Sequence, residues 1–362
     1  MIFFLRGRNL GGVMGNGFGS DRNIRVGMIG TGTISRSHAR SLEECSNVEL
    51  TACCDVVEGA LNRFADEFNV PGKFGKYEDL LDQVLDAVVV ATPPFAHQEP
   101  VVAALRSGKH VLCEKPFAMN ADEAADMAHV SAETGKALAV CSSRFRFQPR
   151  SVLAFDTIST GVLGDIYRAR LVQLRRRGRP GFDMLKDSAW FLDHARSGGG
   201  VIADMGQYFL DQMMWYLGWP QVLSVSANVT HNKIEPVVPK EIKNDVEEHF
   251  DADIRLEGGT TLSLEVTWLT HMEGANGIWL YGTDGGLKLG SGVTLYHDVH
   301  GRPVETEIPL PRRVDESNVT RDFIEAIREG REPVTTADQG VVISKIVDAI
   351  YKSSETRAEV RF

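Results

Sequence analysis

The sequence predicts an α/β protein of two domains, a doubly wound parallel sheet followed by a second α/β domain built on a mostly antiparallel sheet. Three observations predict it. From Ile24 onward, short apolar runs alternate with amphipathic stretches, the pattern of parallel strands joined by crossover helices. A glycine-rich turn, Gly30-Thr31-Gly32, directly follows the first of those runs. After about Arg150 the runs become strand candidates joined by Gly- and Asp-containing turns, which accept the positive φ of tight hairpins.

Taken in order, residues 1–23 mix Ile2 to Leu5 with Arg6, Arg8 and many glycines. That apolar stretch is too short for a secretory core or a membrane span, so the segment reads as a disordered leader, with Met14 as an alternative start. The first domain, 24–146, has expected strands at 24–29, 48–54, 87–91, 110–113 and 137–141. Its expected helices, at 34–44, 58–68, 97–107 and 121–134, repeat apolar residues every three or four positions. The second domain, 147–362, opens on a glycine-introduced helical stretch at 199–217. Strands are expected at 222–231, 246–257, 260–270, 277–282 and 286–290, with hairpin turns at 257–260 and 283–286 and closing helices at 316–329 and 338–353.

With 362 residues, the chain is long enough for two cores of ordinary size. Its 43% apolar and 24% charged residues are the balance of a globular protein, with no call for lipid. A net charge of -10 excludes a general affinity for nucleic acid, which needs clustered Lys and Arg. The five cysteines, at 45, 53, 54, 113 and 141, are odd in number and lack paired metal-ligand spacing. They read as buried free thiols in a reducing compartment, the cytoplasm. The histidines show no HxxxH spacing, so no metal site is expected.

Gly30 and Gly32 stand between a strand and a helix, where a glycine turn lets backbone reach a pyrophosphate and the helix N-terminus offers free N–H groups. Thr33 and Ile34 open that helix, and Ser35 occupies the third fingerprint position in place of Gly or Ala. Asp55 ends the second strand, about 25 residues after Gly30, where a carboxylate accepts hydrogen bonds from ribose hydroxyls and repels a 2′-phosphate. NAD is therefore expected over NADP. The competing reading of Asp55 is a cap on the helix that starts near Glu58.

Ala91-Thr92-Pro93-Pro94-Phe95-Ala96-His97 and Cys113-Glu114-Lys115-Pro116 each follow a strand, so both lie at the carboxyl edge where doubly wound sheets bind ligands. Together with Arg146-Phe147-Gln148-Pro149, the run 161–166 and the glycine run 198–206, they give the chain its likeness to a known family. From Arg25 to the C-terminus it resembles the Gfo/Idh/MocA family (glucose–fructose oxidoreductase, inositol dehydrogenase and MocA). The resemblance implies a Rossmann domain plus an open-faced α/β domain whose exposed sheet builds homodimers or homotetramers. It also implies that Lys115 touches both nicotinamide and substrate, that Thr92, Pro93, His97 and Glu114 join the cofactor site, and that Arg144 contacts substrate. For His97 a cap on the following helix competes with a place near the nicotinamide edge. A partly desolvated lysine beside a positively charged ring has a depressed pKa and shares a proton with a reacting hydroxyl.

The family pattern continues with Asp, three residues, then His on one helix. Here Asp204 is present and Tyr208 stands in the histidine position, with Asp211 and Trp215 continuing the stripe. Tyrosine starts from a pKa near 10 and accepts a proton less readily than histidine, and family members that oxidise sugars or dihydrodiols carry it. Lys115 and Tyr208 are assigned to the hydroxyl proton and Asp204 to substrate hydroxyls, while core packing is the competing role for Tyr208. Trp190, after the arginine-rich run 175–179, suits the apolar face of a sugar ring, whereas charge runs usually make solvated surface.

The function expected is hydride transfer between NAD and a secondary hydroxyl of a pyranose or glycoside, at ring carbon 3, the arginine-rich segment resembling glycoside-oxidising members. Inositol or cyclitol dehydrogenation, redox-neutral glycoside cleavage with retained NAD, and a catalytically silent dinucleotide-binding regulator are the competing readings.

Overall fold

The structure, a computed structural model, describes residues 22–185, 188–231, 242–310 and 318–362. All but the last two residues of the expected leader 1–23 lie outside them. The chain divides into two units, residues 1–144 with 317–344, and residues 145–316 with 345–362.

The first unit runs β1 (Ile24–Ile29), α1 (Thr33–Glu43), β2 (Val48–Cys54), α2 (Glu58–Glu67), β3 (Gly72–Phe74), α3 (Tyr77–Leu81), β4 (Ala87–Val90), α4 (Gln98–Arg106), β5 (His110–Cys113), α5 (Ala121–Thr134) and β6 (Leu138–Val140). Its six strands are parallel in the order β3-β2-β1-β4-β5-β6, a doubly wound sheet whose order reverses between β1 and β4. Along β4 the side chains alternate between two cores: Ala87 and Val89 join Ile24, Met28 and Phe64 on one face, and Val88 and Val90 join Leu105, Phe117 and Met127 on the other. A sheet buried on both faces reads as continuous apolar sequence, which is why these strands were legible.

The second unit adds α6 (Pro149–Ser159), β7 (Ile166–Leu174), α7 (His194–Ser197), a π-helical turn (Ile202–Gly206) leading into α8 (Gln207–Tyr216), β8 (Val222–Thr230), β9 (His249–Leu256), β10 (Thr261–Thr267), β11 (Asn276–Gly282), β12 (Gly285–Leu289), β13 (Val293–Val299) and β14 (Arg302–Ile308). With β15 (Val360–Arg361) at one edge, the nine-stranded sheet has the order β14-β13-β12-β11-β7-β10-β9-β8-β15, and only β7 with β10 is parallel. α9 (Val319–Glu329), α10 (Ala337–Thr356) and β15 (Val360–Arg361) close the chain.

The expected second domain ran unbroken to 362, whereas 317–344 belongs to the first unit. The reason lies in α9, whose Phe323, Ile324 and Ile327 complete the core around Ile24 and Phe64. Strand β7, at the centre of the large sheet, was not expected, and neither were β13 and β14. The two expected hairpins form, but by different means. Gly258 and Gly259 adopt positive φ between β9 and β10. Between β11 and β12 none of residues 283–286 does; there Gly282 is needed because a Cβ would collide with the Leu163 carbonyl oxygen.

Candidate active site

In the first unit, Gly30 has φ +89, and a Cβ on it would stand 2.7 Å from the Ala91 carbonyl atoms where the chain leaves β4. Only glycine fits. A Cβ at Gly32 would meet nothing within 4 Å, so the space in front of α1 is open. Gly32 is the N-cap of α1 and no side chain caps that end, which leaves first-turn N–H groups to a ligand. Thr33 and Ile34 lie exposed on that turn. Ser35 is fully buried and its hydroxyl donates to the Gly32 carbonyl, so the third fingerprint position tightens the turn.

Asp55 is tied to the same turn. Its Oδ2 accepts from the Thr31 N–H and hydroxyl, both at 2.8 Å, and its Oδ1 accepts from the Val57 N–H at 2.8 Å. The N-cap of α2 is Val57, with no side-chain cap bond, so the capping reading of Asp55 does not describe it. A glycine cradle that a Cβ would fill and a carboxylate fixed beside it fit the adenosine half of NAD.

At the same sheet edge, Thr92 and Pro93 follow β4, and Glu114 and Lys115 follow β5. His97 is fully buried and does not cap α4 with its side chain; Nε2 lies 2.8 Å from the Thr92 carbonyl and Nδ1 2.9 Å from the Pro116 carbonyl. It therefore lies between the two loops; burial pulls its pKa down, and the single N–H of the neutral ring donates to one of the two carbonyls. Lys115 is half-buried and precedes a cis peptide bond to Pro116. Glu114 fixes its backbone, Oε2 accepting from the Lys115 N–H at 2.9 Å.

Glu114 is itself held by residues the sequence reading missed. Its Oε1 is 3.0 Å from His38 Nε2, and His38 Nδ1 is 2.8 Å from the Thr320 hydroxyl on α9. Burial pushes the Glu114 carboxyl up, but His38 and Lys115 outweigh it and hold its pKa below the usual carboxylate range. Cys141 joins the cluster, its thiol pushed up by burial. A signal for His38 existed, since it stands with Ser35, Ala39 and Leu42 in the buried stripe of α1, a polar residue at a core position. Arg144 is exposed and is the last residue of the first unit before the chain enters the second.

In the second unit, Asp204 lies in the π-helical turn and Tyr208 in the first turn of α8. Trp268, fully buried at the end of β10, donates from Nε1 to Asp204 Oδ2 at 3.0 Å. Tyr208 is buried, its ring 5.1 Å from that of Phe145. The segment's start is fixed by Glu247, whose carboxylate accepts from the Gly200 and Ile202 N–H groups. Gly200 is required there, because a Cβ would overlap the Glu247 carbonyl. Asp211 does not continue a site-facing stripe; it is fully buried in a two-point pair with Arg146. The π turn, with i→i+5 bonding, rotates the chain less per residue than the regular helix that the spacing assumed. Trp190 stacks on Phe191 with ring centroids 4.1 Å apart, and within the arginine run Arg176 and Arg177 are exposed while Arg179 is buried against Asp183.

Trp268→Phe keeps an aromatic ring beside Asp204 and removes the donor. Loss of one hydrogen bond of about 1.4 kcal/mol is expected to lower kcat/KM roughly tenfold, read by steady-state kinetics beside a thermal melt that reports folding.

Residues 24–142 match the family model for the oxidoreductase family, NAD-binding Rossmann fold, and residues 152–288 match that for the GFO/IDH/MocA C-terminal domain. D-glucoside 3-dehydrogenase of Escherichia coli (strain K12) is 28% identical over 360 residues, 93% of this chain and 97% of that one. Glucose-6-phosphate 3-dehydrogenase of Bacillus subtilis (strain 168) is 30% identical over 220 residues, 58% of this chain and 57% of that one. Among solved structures, levoglucosan dehydrogenase in complex with NADH shares the fold with a TM-score of 0.80 at 22% identity, over 94% of this chain and 99% of that one.

Proposed function

This chain belongs to the Gfo/Idh/MocA oxidoreductase family, and we propose that it is an NAD-dependent dehydrogenase oxidising a secondary hydroxyl of a pyranose glycoside at ring carbon 3. The observation that carries the cofactor half is the open space at Gly32 beside a carboxylate fixed on Thr31. Full-length likeness to a D-glucoside 3-dehydrogenase supports the substrate half. NAD, when bound, takes up the hydride. In this reading Lys115 exchanges the hydroxyl proton, Tyr208 shares that task, and Asp204 orients substrate hydroxyls through the carboxylate that Trp268 fixes. Thr33, Ile34, Thr92, Pro93 and Glu114 complete the cofactor site, with His97 holding its loops, while Arg144 and Trp190 complete the substrate site. No described helix is long and apolar enough to cross a membrane. The reading extends to a cytoplasmic homodimer or homotetramer.

The test is an absorbance screen for NADH over glucosides, free sugars and cyclitols. Turnover of glucosides to 3-keto products supports the reading, turnover of cyclitols alone replaces it, and silence with every substrate overturns it. In the same assay NAD is expected to exceed NADP by at least about 100-fold in kcat/KM, because setting a 2′-phosphate against the Asp55 carboxylate juxtaposes like charges at several kcal/mol. Asp55→Asn should narrow that gap, and an NADP preference in the wild type would contradict the role given to Asp55.

A further inference from the structure

A cavity of about 130 Å³ lies wholly within the second unit, far larger than the ~10–15 Å³ that one water needs. Its walls come from the start of α6, from the π turn and α8, and from the β7, β11 and β12 strands. Two amides, Gln173 and Asn276, face it from adjacent strands, and their register as a direct cross-strand pair sets them side by side. Arg150 and Arg175 add two guanidinium groups, and Phe145 and Phe209 supply an aromatic wall, their ring centroids 5.2 Å apart.

This lining has a definite chemistry. Amides offer a donor and an acceptor at once, as a sugar hydroxyl does, and aromatic rings take the C–H face of a pyranose. Arg175 Nη2 rests on the Met205 sulfur at 3.6 Å, and a thioether is a weak acceptor that a ligand oxygen readily replaces. The cavity also adjoins the residues assigned to substrate, because Met205 directly follows Asp204 in the π turn and Phe145 packs on Tyr208.

We infer that this cavity is a second sugar subsite, which holds the hydroxylated ring joined to the one being oxidised, so that disaccharides are better substrates than free monosaccharides. The inference rests on the reading of Asp204 and Tyr208 as substrate-facing. Gln173→Leu and Asn276→Leu test it, with glucose and cellobiose as the probes. Two readouts are used: kcat/KM by NADH formation, and calorimetric titration of cellobiose into the NAD-saturated protein. Each variant is expected to weaken cellobiose turnover and binding about tenfold, the size of one lost hydrogen bond, with glucose turnover within about twofold of wild type. Equal losses on both sugars, or no loss on either, would overturn the subsite and leave a cavity that holds water only. A wild type that oxidises both sugars equally well overturns the subsite while the dehydrogenase reading stands. A wild type that binds and oxidises neither overturns both.

Discussion

Lys115→Met is expected to lower kcat/KM by about 10²–10⁴-fold, the usual worth of a positioned proton-transfer group. Methionine keeps the length and most of the apolar stem of lysine and removes the ammonium, so the change isolates the charge. The backbone at 115 should stay in place, because Glu114 bonds its own N–H and His97 bonds a carbonyl of the neighbouring loop residues. Glu114 accepts from the Lys115 N–H, and His97 sits between the Pro116 and Thr92 carbonyls, donating to one of them. A thermal melt close to wild type with kcat strongly reduced is therefore the expected pair of results. If Lys115 takes up the hydroxyl proton during oxidation, its neutral amine is the acting form, so the loss should appear in kcat and the limb on which oxidation rises with pH should change form. An effect confined to KM would reassign Lys115 to substrate binding alone, and unchanged kinetics would remove it from the chemistry.

The parts of this fold that could be read from sequence are those whose burial is simple. β4 is buried on both faces and shows as an unbroken apolar run, and β1 and β5 do so with Arg25 and His110 as their polar exceptions. β7 was missed although it is central, because its exposed Tyr167, Arg168 and Arg170 face away from the core and interrupt the apolar pattern. β14 is a largely exposed edge strand with little apolar signal, and β13 beside it buries only Val293 fully, so its apolar residues mark no core face. The site divides the same way. Gly30, Gly32 and Asp55 were legible because they stand at the ends of adjacent apolar strands in the spacing of a dinucleotide fingerprint, and Gly30 because the turn itself admits no Cβ, whereas Trp268 and Glu247 act on Asp204 and its helix from more than 40 residues away. No spacing rule reaches across that distance. Sequence placed Asp204, Tyr208 and Asp211 on one stripe, and nothing local announced the π turn that holds Asp204 or the Arg146 guanidinium that takes up Asp211.

Asp211 carries the other large effect. Its carboxylate accepts from Arg146 Nε at 2.6 Å and Nη2 at 2.7 Å, with the two side chains 1% and 2% exposed. The Arg146 guanidinium also lies over Trp215 and Trp219, at 5.8 and 5.2 Å from the ring centroids. Both charges have left water, so each depends on the other to offset its desolvation. Asp211→Ala leaves the guanidinium buried without its counter-charge and is expected to destabilise the protein by about 3–5 kcal/mol. For a unit of this size that is a fall in melting temperature of roughly 6–20 °C. If the cost is the abandoned charge and not the lost attraction, removing the second charge should recover much of it. The double variant Arg146→Met, Asp211→Leu, which fills the space with apolar atoms, is thus expected to melt above the single variant. A double variant no more stable than Asp211→Ala would mean that the pair fixes the packing of α8 itself. A single variant that melts like wild type would show that the buried charge is not what this helix rests on.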